Sequence, residues 1–297
     1  MNEKYIQNFM RAGSIAREVR AFGKSLIKKG ASYNEVISKM RHKITELGAI
    51  AAFPPQIALN HVAAHYLPMP DEDITFSDQV IKLDIGVCYE GAIGDCAVTV
   101  DLSGKFQKLI DAAEAAVLAA EQSIHVGQPV REIGKIIETT IASFGFTSVK
   151  NLCGHGLGPY KIHTGPSIPN YHDKSTALIK KGMTFAIEPF ATNGKGMIYD
   201  AGNPTIFSQI KIGSARSEVA RTLLGKIKGF NSLPFAIHDI LPENLSLEQV
   251  KQGLNELMEI GIIAGYAPLV EEARGMVAQA ENSILVDKNG KVFVTTR

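Results

Sequence analysis

Ile81-Lys82-Leu83-Asp84-Ile85-Gly86-Val87-Cys88-Tyr89-Glu90-Gly91-Ala92-Ile93-Gly94-Asp95-Cys96-Ala97-Val98-Thr99-Val100 reads as a β-hairpin. β-Branched residues flank the Glu90-Gly91 turn, and such side chains suit a pleated, packed surface. Each strand carries one aspartate. With an even loop, positions whose numbers sum to an odd value share a face of the ribbon, so Asp84 and Asp95 face each other. Like charges so placed destabilise an apolar ribbon unless a cation lies between them, and a divalent metal is the strongest candidate. The same parity sets Cys88 and Cys96 on opposite faces, which argues against a disulfide between them.

Upstream of the hairpin, Ile6, Phe9, Met10, Ile15, Val19, Leu26 and Ile27 recur at helical spacing and predict a helix that stops near Gly30. A second helix is expected from about Ser32, with Val36, Ile37, Met40, Ile44 and Leu47 on one stripe. Two prolines then enforce an extended turn at Ala51-Ala52-Phe53-Pro54-Pro55, and His61 and His65 follow among small apolar residues. Downstream, an alanine-rich helix spans roughly Phe106 to Ile124, and another runs from Val130 to Phe144 with Gly145 as its cap. The stretch 151–166 has no period. Its glycines surround His155 and His163 and let backbone approach a ligand closely. Met183 to Ile187 is a short apolar strand ending in Glu188-Pro189, and Met276 to Val286 is strand-like with Glu281 in apolar surroundings. Between them, Glu218 to Ile227 and Leu245 to Ile260 are helical, which suggests an inserted subdomain. Gly194-Lys195-Gly196 lacks the spacing of a phosphate loop and reads as a tight turn.

The chain has 297 residues, 45% of them hydrophobic, enough for one large domain or one domain with an insertion. A net charge of +1 gives no long-range pull toward nucleic acid or an anionic membrane. Three cysteines, a polar N-terminus and no long apolar run predict a reduced, soluble, cytoplasmic protein.

Asp84, Asp95, His155, Glu188 and Glu281 give four carboxylates and one imidazole, each on or beside an apolar strand or in a glycine-rich loop. Buried ionised carboxylates cost on the order of several kcal/mol each unless compensated. Two divalent cations would offset four negative charges. Oxygen-rich ligation with one nitrogen suits manganese, iron or cobalt, and the lack of clustered thiolates argues against structural zinc. A metal pair about 3.5–4 Å apart activates water at neutral pH, so hydrolysis is the natural reaction class. Taken singly, Asp84 reads equally well as a strand-end cap, and His65, His155 and His163 as satisfied core histidines. His61, His125, His172 and His238 carry no functional signal.

Seven stretches together resemble the methionine aminopeptidases, metallopeptidases of the pita-bread fold. They are Asn60-His61-Val62-Ala63-Ala64-His65-Tyr66, Lys82-Leu83-Asp84-Ile85-Gly86, Gly94-Asp95-Cys96-Ala97-Val98-Thr99-Val100, Gly154-His155-Gly156-Leu157-Gly158, Ile162-His163-Thr164-Gly165-Pro166, Ala186-Ile187-Glu188-Pro189-Phe190 and Gln279-Ala280-Glu281-Asn282-Ser283-Ile284-Leu285. The segment between Glu188 and Glu281 and the Ala63-Ala64-His65-Tyr66 stretch resemble the type 2 branch in its archaeal form.

The resemblance implies an α+β fold (creatinase/aminopeptidase-like), an antiparallel sheet flanked by helices. Residues 1–195 and 266–297 would form the catalytic domain and 196–265 a helical insertion subdomain. It implies two divalent cations (cobalt, manganese, iron or zinc), with Asp84 on one, Asp95 and Glu281 bridging, and His155 and Glu188 completing the coordination of the second metal. Glu188 would also shuttle a proton to the leaving amine. His163 would stabilise the oxyanion and His65 would sit near the scissile nitrogen. Phe53 and Ile162 would line the pocket for the methionine side chain. The expected substrate is the N-terminal methionine of nascent polypeptides, its free amine on a metal and its second residue small. A monomer is expected, with no nucleic-acid or membrane partner and with ribosome association left open. The alternatives are a prolidase or aminopeptidase P, which shares the fold and ligands but carries an extra N-terminal domain, and a metal-free binding protein on the same fold.

Overall fold

In the computed structural model, which describes residues 2–297, the hairpin pairs along its full length, Val80–Tyr89 with Ala92–Asp101. Asp84 lies opposite Ala97 and Gly86 opposite Asp95, so the two aspartates share a face diagonally, as their numbering required. On the other face, Leu83, Ile85 and Val87 meet two helices, α1 (Glu3–Leu26) and α2 (Tyr33–Glu46). Asn2 caps α1 by accepting a hydrogen bond from the Tyr5 amide at 2.8 Å. Helix α1 buries Phe9, Ile15 and Val19, and Met10 faces solvent instead. Cys88 and Cys96 are both buried and free.

A second half repeats this arrangement. Helices α3 (Gln107–Ser123) and α4 (Val130–Ser143) pack Leu109, Ala113, Ile133 and Ile137 against Phe185 and Ile284 of a five-stranded antiparallel sheet. Its order is Val292–Val294, Asn282–Val286, Thr184–Ile187, Cys153–Gly158 and Lys161–Pro169. Asp287 to Gly290 form the turn before the last strand.

The halves join where Ala97 and Glu281 exchange backbone hydrogen bonds of 3.4 and 3.3 Å. Side chains complete the seam. Ser283 Oγ accepts from the Asp95 amide and donates to the Asp95 carbonyl, both at 2.8 Å. Thr99 Oγ1 does the same for Gln279, donating to its carbonyl at 2.7 Å and accepting from its amide at 2.8 Å. The result is one curved surface with helices behind it.

In the segment after Glu188, helices α5 (Glu218–Ile227), α6 (Ile237–Ile240) and α7 (Leu247–Glu259) enclose a separate core of Leu223, Ile227, Phe235, Val250, Leu254 and Leu257. A three-stranded sheet accompanies them, Phe235–Ala236, Ile206–Gln209 and Ile263–Tyr266, which the helical pattern did not announce. Residues Ile198–Asp200 pair with Leu269–Glu271, which pair in turn with Val62–Ala64 of the body. Among the described residues no helix is long and apolar enough to cross a membrane.

Candidate metal centre and its cavity

The concave face of the joined sheets lines a cavity of about 480 Å³. All nine residues singled out in the sequence lie on its wall: Asp84, Asp95, His155, Glu188 and Glu281, with Phe53, His65, Ile162 and His163. Their elements explain why. Asp84 and Asp95 project from the inner face of the hairpin, and Glu281 precedes the seam strand directly beside Ala97. Glu188 follows the neighbouring strand, where Asn170 Nδ2 donates to its carbonyl at 3.1 Å and fixes the turn before Pro189. His155 enters from the next strand.

Asp95, His155 and Glu281 form the tightest group, each offering one ligand atom within 4.8 Å of the others. Glu188 Oε1 lies 3.5 Å and Asp95 Oδ2 3.7 Å from His155 Nε2. Asp84 Oδ1 and Asp95 Oδ1 are buried and meet no hydrogen-bond donor. Gln279 supplies a partial substitute, with its Nε2 3.3 Å from Glu281 Oε2 and its side chain bonded to Asp84. No lysine or arginine forms an ion pair with any of these four carboxylates among the described residues.

The electrostatics follow from that composition. Burial pushes Asp84 up to about 7, while the Gln279 hydrogen bond pulls the other way. Burial also holds Asp95, Glu188 and Glu281 well above the usual carboxylate range, and their mutual repulsion adds to it. His155 is driven down to about 3 and His65 to about 4, by burial first and then by the nearby His163. His163 is open to the cavity, but the protein behind it still disfavours its charged form. Neutral imidazoles beside acceptor-rich carboxylates fit the requirements of divalent cations, which take the imidazole lone pair and the unpaired oxygens.

Much of the remaining wall is apolar or aromatic, with polar side chains such as Gln56 and Asn151 among it. The Phe53 ring lies against Gly86, where a β-carbon would come within 2.2 Å of it. His155 and His163 stack edge to face at 4.5 Å, and Tyr266 joins His65 at 5.5 Å and His163 at 6.3 Å. Tyr266 is held in place by its hydroxyl, 2.9 Å from Ser208 Oγ. Tyr266, Gln56 and Gln279 were not singled out in the sequence. A period-two reading from Glu281 back to Gln279 would have found the last of these. Ile206 and Pro234 reach the cavity from the segment of separate core, and no local pattern marks them.

The profile of metallopeptidase family M24 matches residues 7–224. The methionine aminopeptidase of Methanocaldococcus jannaschii is 39% identical over 293 residues, 98% of either chain. Among solved structures, the methionine aminopeptidase of Thermotoga maritima superposes with a TM-score of 0.72 at 19% identity, covering 100% of this chain and 98% of that one. A thermophilic Arx1 superposes at 0.87 with 13% identity, over 99% and 91%. At such identities the likeness speaks to the fold, the pita-bread fold expected from the sequence. The full-length identity is more specific, and with the family match it shows that the chain belongs to the methionine aminopeptidases of metallopeptidase family M24.

Proposed function

We infer that this protein removes the N-terminal methionine from polypeptides by hydrolysing the first peptide bond. One observation carries the reading: four carboxylates, of which Asp84 and Asp95 each keep a buried oxygen without a donor among the described residues, share a single cavity with a neutral imidazole and the Phe53 ring. Asp84, Asp95, His155, Glu188 and Glu281 would hold two divalent cations, of cobalt, manganese, iron or zinc. When bound, such a pair supplies an activated water and polarises the scissile carbonyl.

The protein's own groups complete the chemistry. Glu188, with its proton affinity raised by burial, takes a proton from the attacking water and delivers it to the leaving amine. His163 is neutral at physiological pH and donates a hydrogen bond to the substrate carbonyl, where negative charge develops. His65, also neutral, sits near the scissile nitrogen. Phe53 and Ile162 receive the methionine side chain, and a small second residue is preferred. We assign the chain to the type 2 branch in its archaeal form, with 196–265 as its inserted subdomain, acting on nascent chains as a cytoplasmic monomer.

Hydrolysis of Met-Ala-Ser and Gly-Pro, after chelation and after re-addition of single metals, tests the reading. Cleavage of the first peptide alone, restored by metal, is expected. Cleavage of Gly-Pro alone would make the protein a prolidase. Asp95→Asn should lose bound metal, measured by elemental analysis, and lose turnover with it.

A further inference from the structure

Gln56 is a polar residue on the cavity wall with an unpaired side-chain oxygen. It is 6% exposed, it lines the cavity, and among the described residues its side-chain carbonyl has no hydrogen-bond donor. A buried amide left unpaired costs free energy comparable to a lost hydrogen bond, so its persistence beside a reaction centre points to a ligand. Its placement says which part of the ligand. Gln56 is the direct cross-strand partner of Asp84, so both side chains stand on the cavity face about 5 Å apart at their β-carbons. Asp84 in turn lies opposite Ala97, and Ala97 bonds to Glu281. Gln56 therefore ends this row on the side away from Glu188, His155 and His163, which lie on or after strands beyond the seam.

A peptide cleaved at its first bond offers two nitrogen donors near the reaction centre, the scissile nitrogen and the α-amine. The scissile nitrogen must face the proton carried by Glu188, across the seam. The remaining donor is the α-amine, one residue step toward Asp84 and Gln56. We propose that Gln56 is a substrate-recognising residue whose side-chain carbonyl accepts a hydrogen bond from the free α-amine of the first residue. This rests on the aminopeptidase reading and adds to it a contact that favours a chain beginning with an unblocked amine. Phe53, three residues earlier and over Gly86, then borders the side chain of the same residue.

The test uses the metal-loaded protein and the variants Gln56→Met, which keeps the volume, and Gln56→Glu, which keeps the acceptor. Wild type must first cleave Met-Ala-Ser, otherwise the aminopeptidase reading itself fails. With that established, Gln56→Met should raise KM on the order of tenfold with kcat little changed, the effect of one hydrogen bond to a charged or polar partner. Calorimetric binding should show the same loss for L-methionine and none for its des-amino analogue, 4-(methylthio)butanoic acid. Gln56→Glu should restore binding of L-methionine. Equal losses for both ligands would mean that Gln56 packs against the side chain and would overturn the proposal. So would a loss of bound metal in Gln56→Met, because Gln56 would then serve the metal ligands.

Discussion

Glu271 and Glu281 are two fully buried carboxylates ten residues apart, and their surroundings give them opposite roles. Glu271, 0% exposed, accepts backbone hydrogen bonds from Lys195 and Gly196 through one oxygen and from Ala273 and Gly275 through the other. Its charge is spent on four amide donors, and the tight turn at Gly194-Lys195-Gly196 closes around it. Glu281 has one weak amide contact at 3.3 Å and three acidic neighbours. The sequence singles out Glu281 and passes over Glu271, because it shows where a carboxylate stands in an apolar run but not which backbone groups point at it. Glu271→Gln replaces an acceptor oxygen with a donor that confronts two N–H groups, so it should cost about 3 kcal/mol of stability. Chemical denaturation would measure the loss, and the metal content of the folded fraction should stay at the wild-type level.

At the scale of elements, helices α1 to α5 and α7 were legible because each buries one stripe against a sheet or a core, and a stripe is periodic. The hairpin was legible for the same reason with period two. The sheet formed by Ile206–Gln209, Phe235–Ala236 and Ile263–Tyr266 was not, because strands of two to four residues are too short to display a period and find their partners far along the chain. Gly86 illustrates a requirement set by packing between elements. The strand admits the Phe53 ring only because position 86 carries no side chain. Gly86→Ala should push the ring into the cavity and lower kcat/KM for Met-Ala-Ser on the order of tenfold or more, with bound metal retained. Phe53→Leu in the same chain should recover part of that loss, and absence of recovery would show that the alanine acts through Asp95, its cross-strand partner.

Across the whole molecule, the site belongs to neither half. The hairpin contributes Asp84 and Asp95, the second half contributes His155, Glu188 and Glu281, and nothing in either half's periodicity says that they meet. The charge of four carboxylates in apolar strands calls for cations, and the resemblance carried by the seven stretches implies that Glu281 and Asp95 share them. The same charge has a thermodynamic consequence. An aspartate has an ordinary value near 4, and burial raises Asp84 to about 7. The folded metal-free protein therefore holds a proton that the unfolded chain has lost between these values, and stability falls as pH rises through that window. Asp84→Asn removes this penalty. Without metal, the variant should be more stable than wild type by about 2–4 kcal/mol at pH 8 and nearly equal to it at pH 4. Saturating metal should reverse the order at pH 8. Thermal melts with and without chelator at the two pH values check both statements.

The bonds of the seam, such as that between Asp95 and Ser283, span 188 residues of chain. Contacts of such separation form late, because the loop they close must be ordered at high entropic cost. During synthesis the hairpin and the helices behind it can fold while the ribosome is still translating the second half. The candidate metal centre cannot assemble then, because Glu281 does not yet exist. With the proposed ligand set, a protein that trims the first residue of other chains thus becomes competent only after residue 281 has been translated, and a chain stalled before that residue would fold in part without acquiring activity.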